Sequence, residues 1–146
     1  MEASKKMKPS EELWNCLTKL KTAEAQAVAL RTKWLETARP KQLQPKDKHY
    51  VWLILAGRGW GKTRTGAQDI AFYALRNPNS ICAVVAPTHG DLRRVCFNGP
   101  SGLMSIIPSE CLAQTRDYKG YSSSTSEIRL FNGSKIVGYA AIDPDR

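Results

Sequence analysis

Between residues 56 and 63 the chain reads Ala56-Gly57-Arg58-Gly59-Trp60-Gly61-Lys62-Thr63. Three alternating glycines exclude a regular helix or strand there, because glycine surrenders more backbone entropy on ordering than any other residue. They suit a tight loop that uses left-handed φ values. The run before it, Tyr50-Val-Trp-Leu-Ile-Leu-Ala56, is apolar with β-branched and aromatic residues, and predicts a strand covered on both faces. After the loop, residues 62–76 suit a helix, closed by Asn77-Pro78-Asn79-Ser80. Ile81-Cys-Ala-Val-Val-Ala86 predicts a second buried strand, ending at Pro87-Thr88. Strand, helix, strand is the βαβ unit of a parallel α/β sheet, with a right-handed crossover.

The flanking segments are simpler. Pro9-Ser10-Glu11-Glu12 opens a predicted helix over 10–38, with Ser10 as N-cap and Leu13, Leu17, Leu20, Ala27, Leu30 and Trp34 on its apolar stripe. Pro40 ends it, and residues 39–49, with two prolines, form a polar connector. A helix is expected around 90–97, a break at Asn98-Gly99-Pro100-Ser101-Gly102 and a short helical piece near 103–107. Residues 126–131 and 134–140 flank Asn132-Gly133, which predicts a β-hairpin with both turn residues at positive φ.

A chain of 146 residues is the size of one domain, and its apolar runs fall far short of the roughly 20 residues that cross a bilayer. The charged start, Met1-Glu-Ala-Ser-Lys-Lys-Met-Lys8, lacks the features of a secretory signal, so a cytoplasmic location is expected. Cys16, Cys82, Cys96 and Cys111 show no metal-site spacing and read as small hydrophobes, Cys82 above all. The net charge of +9 favours a polyanionic partner, and it is spread evenly: 11 basic and 6 acidic residues before position 51, 11 and 7 after it.

The glycine loop gives that charge a sharper reading. Residues 56–63 fit the phosphate-loop pattern G-x-x-x-x-G-K-[ST] with alanine in the first position, a variant Walker A. Gly57, Gly59 and Gly61 would let successive backbone N–H groups point at one phosphate, with the helix N-terminus adding its partial positive charge. Lys62 would reach the outer phosphates of ATP and Thr63 would put its hydroxyl on Mg²⁺. Arg58 is either a solvated loop charge or a second cation near the terminal phosphate, Trp60 a hydrophobic lid, and Arg64 faces solvent or a partner.

Beyond the loop, Arg39-Pro40-x-Gln42-Leu43-x-Pro45, Trp52 through Ala67, and Val85-Ala86-Pro87-Thr88 together resemble the ATPase end of the large terminase subunit of tailed bacteriophages. The resemblance runs over about residues 39–146. It implies residues 39–146 as part of a P-loop ATPase domain of the ASCE, terminase-like kind, and leaves residues 1–38 as the N-terminal helical segment read from the apolar stripe. In that family the motor drives double-stranded DNA through the portal into an empty capsid, and a C-terminal nuclease cuts the concatemer. The implied partners are DNA, the small terminase subunit and the portal protein, in the host bacterial cytoplasm, with the full-length protein oligomeric on the portal. Lys62 and Thr63 match the family's phosphate and magnesium positions and Arg58 a basic residue common in terminase P-loops, which makes Lys62 and Arg58 the candidate catalytic residues. Gln42, fourteen positions before Ala56, matches a glutamine that recognises adenine; the alternative is an ordinary polar linker residue. Ala86-Pro87-Thr88 matches a strand end placed near nucleotide or DNA.

One requirement of such a motor is missing. Hydrolysis needs an apolar strand that ends in acidic residues for Mg²⁺ and for the attacking water, and no acid after Thr63 closes such a run. Asp143-Pro144-Asp145-Arg146 resembles the segment just before that strand. The expectation is an N-terminal piece of a terminase that binds nucleotide, turns it over poorly and leaves strand edges exposed. The competing expectations are a non-catalytic basic module that binds nucleic acid or a capsid protein, and a fragment of a helicase-like ATPase.

Overall fold

The computed structural model describes residues 23–115 and 118–142. Helix α1, Ala23–Thr37, is alanine-rich and buries Ala27, Leu30 and Trp34, the predicted stripe. The earlier part of the predicted helix, with Ser10, Leu13, Leu17 and Leu20, lies outside the described residues, as do Cys16 and Asp143 to Arg146. A 3-10 turn at Pro40–Gln42 starts the connector. Helix α2, Lys62–Arg76, has the predicted bounds. Its small residues Ala67, Ala71 and Ala74 let α1 approach closely, so that Ala27 and Leu30 join one core with them. Arg31 of α1 spans the polar edge of this contact: it lies 3.8 Å from Asp69 and 5.2 Å from the Phe72 ring centroid.

A mixed four-stranded sheet forms the second layer. Strand β1 is Ile81–Ala86, β4 Tyr121–Ser122, β5 Glu127–Arg129 and β6 Lys135–Ala140, in the order β1-β6-β5-β4. β2, Gln114–Thr115, and β3, Tyr118–Lys119, make a separate two-stranded pair. β1 runs parallel to β6, and the other pairs in the main sheet are antiparallel. In this register Cys82 faces Ile136 and Ala86 faces Ala140, so that all four point into the core. An α-turn at His89–Asp91 continues as a π-helix, Leu92–Phe97, and a 3-10 turn follows at Leu103–Ser105. This segment lies on β6, where Gly138 leaves room for it: a Cβ there would meet the Phe97 ring at 2.9 Å.

Three expectations need correction. Residues 51–57 form no strand: exposed and half-buried side chains alternate along the run as in an extended chain, but no described strand hydrogen-bonds to it. The parallel partner of β1 is therefore β6, and the βαβ unit with residues 50–56 is not formed. β1 itself is covered on one face only, because nothing described packs over Ile81 and Val85, which are 74% and 65% exposed.

The hairpin is present, but its turn differs. Only Gly133 has positive φ, at 85°, while Asn132 does not. The Leu130 carbonyl accepts from Gly133 N–H at 3.0 Å, and Leu130 N–H donates to the Ser134 carbonyl at 2.9 Å. This is a three-residue loop with a glycine in the left-handed position, in place of the two-residue turn expected from Asn-Gly. The reason is tertiary. In this geometry the Asn132 amide donates to the carbonyls of Ala74 and Leu75, at 2.9 and 3.1 Å, and so caps the C-terminus of α2. Ser134 Oγ donates to the Asn77 carbonyl at 2.8 Å, which ties the hairpin to the loop between α2 and β1.

Candidate functional site at the glycine loop

The loop enters α2 through two left-handed residues, Gly59 at φ 79° and Gly61 at φ 94°. Both values penalise any side chain. At Gly57 and Gly59 a Cβ would meet nothing within 4 Å, so there is open space beside the loop at both positions. Lys62 Nζ donates to the carbonyls of Ala56 and Gly57, at 2.8 and 2.9 Å. The lysine thus folds back over the loop that precedes it and stands, exposed, at the start of α2. Thr63, Arg64 and Trp60 are half-buried, and Arg58 is exposed.

Behind the loop stands the Pro40–Gln42 turn. Gln42 is buried, and its Oε1 accepts from Arg39 N–H at 3.0 Å and from Arg39 Nε at 3.3 Å. Its Nε2 donates to the Trp60 carbonyl at 3.1 Å. Arg39 donates to the same carbonyl through Nη2, and its guanidinium lies 5.6 Å from the centroid of the Trp60 ring. Sequence reasoning gave a role to Gln42 but none to Arg39, which it quoted only as part of the flanking motif and whose partner is twenty-one residues away in the chain.

In front of the loop is a cleft of about 480 Å³, lined by Arg58, Lys62 and Arg64 on one side and by Arg94 and residues 99–101 on the other. Arg94 was also missed; the adjacent pair Arg93-Arg94 was the only signal for it in the sequence. A smaller, mainly apolar cavity of about 220 Å³ lies alongside, between Thr63 and Ile70 of α2, Val84 of β1 and Cys96. Burial pushes the Cys96 thiol above its ordinary pKa, with the Asp91 charge adding to the shift, so it stays a protonated, weakly polar wall.

Four cations around one open cleft suit a polyanion with closely spaced charges. The described acids lie apart from it. Asp69 pairs with Arg31, and Asp91 accepts from Thr88 Oγ at 2.7 Å. Thr88 caps the following α-turn, since its Oγ accepts from Asp91 N–H at 3.1 Å. Among the described residues no group of three or more His, Cys, Asp or Glu side chains is placed to hold a metal ion. Lys62 and the open glycine backbone fit a phosphate group, and the Thr63 hydroxyl at the same helix start fits a metal that the phosphates themselves help to hold.

The fold and this loop define a mixed α/β protein with a basic cleft where a glycine loop enters helix α2. Residues 53–143, well over half of the chain, match the family described as terminase large subunit, T4likevirus-type, N-terminal. The chain belongs to that family, and so to the large subunits of bacteriophage DNA-packaging terminases. The matched segment contains the glycine loop and excludes Arg39 and Gln42. No curated protein and no solved structure matches the chain significantly. Among the described residues, no helix is long and apolar enough to cross a membrane.

Proposed function

We propose that residues 39–146 are the nucleotide-binding part of a P-loop ATPase domain, and that the whole subunit uses it to drive double-stranded DNA into the capsid. The observation that carries this reading is the loop itself: two left-handed glycines, open space beside Gly57 and Gly59, and a lysine at the first position of α2. Gly57, Gly59, Trp60 and Gly61 would surround the phosphates of ATP with backbone N–H groups. Lys62 would exchange the carbonyls of Ala56 and Gly57 for phosphate oxygens, and Arg58 and Arg64 would add charge from the rim. Thr63 would hold Mg²⁺ through its hydroxyl, and the metal would neutralise the charge that builds up on the phosphates. The small subunit and the portal are the partners that go with this role in the family.

Turnover is a separate matter. The described residues bring no carboxylate to the loop to hold Mg²⁺ or to orient water, so binding without efficient hydrolysis is the expected behaviour of this chain. Titration of Mg-ATP tests the reading. Lys62→Ala removes a charge-assisted contact of about 1.5–3 kcal/mol, and should weaken binding roughly ten- to a hundredfold. Unchanged affinity in Lys62→Ala would mean that the loop does not hold the phosphates. Steady hydrolysis by the chain, lost in the same variant, would show that a water-orienting acid is present after all.

A further inference from the structure

We infer that Arg39 and Gln42 form a positioning clamp that holds the Trp60 carbonyl and so sets the shape of the phosphate loop, and that Gln42 does not read the adenine base. The inference rests on the nucleotide-binding reading of the loop.

A glutamine amide has two acceptor sites on Oε1 and two N–H donors on Nε2. In Gln42 both acceptor sites are occupied, by Arg39 N–H at 3.0 Å and Arg39 Nε at 3.3 Å, and one donor is spent on the Trp60 carbonyl at 3.1 Å. A glutamine that reads adenine in a bidentate manner accepts from the 6-amino group and donates to N7. Gln42 has no acceptor left for that amino group.

What it does hold is one peptide unit. Arg39 Nη2 and Gln42 Nε2 converge on the carbonyl of Trp60, whose peptide bond leads into Gly61. Gly61 stands at φ 94° immediately before Lys62, so the orientation of that peptide sets the direction in which Lys62 leaves the loop. A loop of three glycines is otherwise free to adopt many conformations, and ordering it would be charged against every ligand. The clamp removes that cost beforehand. Because it acts on the loop and not on the base, it favours every ligand with the same chain of phosphates to the same degree.

The test is a titration of the chain with Mg-ATP, Mg-GTP and Mg-tripolyphosphate, in wild type, Arg39→Ala, Arg39→Lys, Gln42→Ala and Gln42→Glu. Arg39→Ala and Gln42→Ala should weaken all three ligands by one common factor, roughly three- to tenfold. Gln42→Glu, which keeps the pairing with Arg39 but cannot donate to Trp60, should lose the same factor. Arg39→Lys, which keeps a donor, should recover most of the affinity. Arg39 is exposed, so Arg39→Ala should melt with the wild type, and this variant carries the test if Gln42→Ala does not fold. Loss of ATP binding alone in Gln42→Ala, with GTP and tripolyphosphate unchanged, overturns the clamp in favour of base reading. No change in any variant overturns it too. A wild type that binds none of the three overturns the nucleotide-binding reading and the clamp with it, whereas the other two results overturn the clamp only.

Discussion

The Nε2 atom of Gln42 stands 2.8 Å from the point at which Gly61 would carry a Cβ. Two independent demands therefore fall on one residue: a left-handed backbone, and a side chain no larger than hydrogen against the buried amide. Gly61→Ala should lose about 1–2 kcal/mol from the backbone alone, and should also push Gln42 off the Trp60 carbonyl. Gly57 is the control, because its φ is not positive and a Cβ there meets nothing within 4 Å. In thermal denaturation Gly61→Ala should melt well below the wild type and Gly57→Ala beside it. Equal melting of the two variants would mean that the contact between Gln42 and Gly61 does not constrain the loop.

Asn132 gives the second prediction. Its amide caps two α2 carbonyls, and its Oδ1 accepts from Ser134 N–H at 3.1 Å. Asn132→Ala leaves half-buried carbonyls at the helix end without these donors, which should cost about 1–2 kcal/mol. Asn132→Asp keeps the acceptor for Ser134 but places a negative charge at the negative end of the helix dipole, and should be at least as damaging. Urea denaturation of the three proteins gives the order; an Asn132→Asp variant as stable as the wild type would contradict the cap.

These two sites show what the sequence could and could not reveal. Helix α2 was legible to the residue because its limits are local, a left-handed glycine before Lys62 and Asn77-Pro78 after Arg76. The hairpin strands were legible from their flanks. Their turn was not, because Asn132 is recruited by α2, some fifty-seven residues earlier in the chain, and that contact outweighs the local preference of Asn-Gly. The run from Tyr50 to Ala56 has the composition of a strand, but pairing depends on a neighbour, and composition cannot supply one. At the site, Lys62 and the glycines were visible as a pattern, whereas Arg39 and Arg94 come to the loop only through tertiary structure.

Asp69 gives the chain a pH dependence of readable sign. Burial raises its carboxyl above the ordinary 3.8, and the charges of Arg31 and His49 offset this only in part. A raised native pKa means that the folded state binds the proton more tightly than the unfolded state. The stability linked to this group is therefore complete below the ordinary value and is lost as pH rises through the raised one. Asp69→Asn should flatten the stability profile between weakly acid and neutral pH. At neutral pH it should be as stable as the wild type or more so, since the desolvation of the carboxylate outweighs its half-buried, 3.8 Å ion pair with Arg31. Urea midpoints across that range check it, and a variant that unfolds more easily than the wild type at neutral pH would give the ion pair the larger share.

The uncovered apolar surface leads to the last prediction. Val51, Leu53 and Leu55 are 80%, 71% and 86% exposed, and Ile81, Val85 and Tyr139 lie open on one face of the sheet. Among the described residues β1 has a hydrogen-bonded neighbour on one side only, so its other edge offers unpaired backbone groups. Burying one fully exposed leucine is worth about 1.5–3 kcal/mol, which makes self-association of this chain the expected state at high concentration. Sedimentation velocity should show species larger than the monomer, growing with concentration. Leu53→Lys combined with Leu55→Lys should weaken the association on the order of a hundredfold or more while leaving the melting temperature unchanged, because neither side chain belongs to the core. Val85→Lys separates the two surfaces: if it dissolves the assembly and the leucine pair does not, the open sheet face is the contact and residues 51–55 stay solvated. A chain that sediments as a monomer at every concentration would show that neither surface associates.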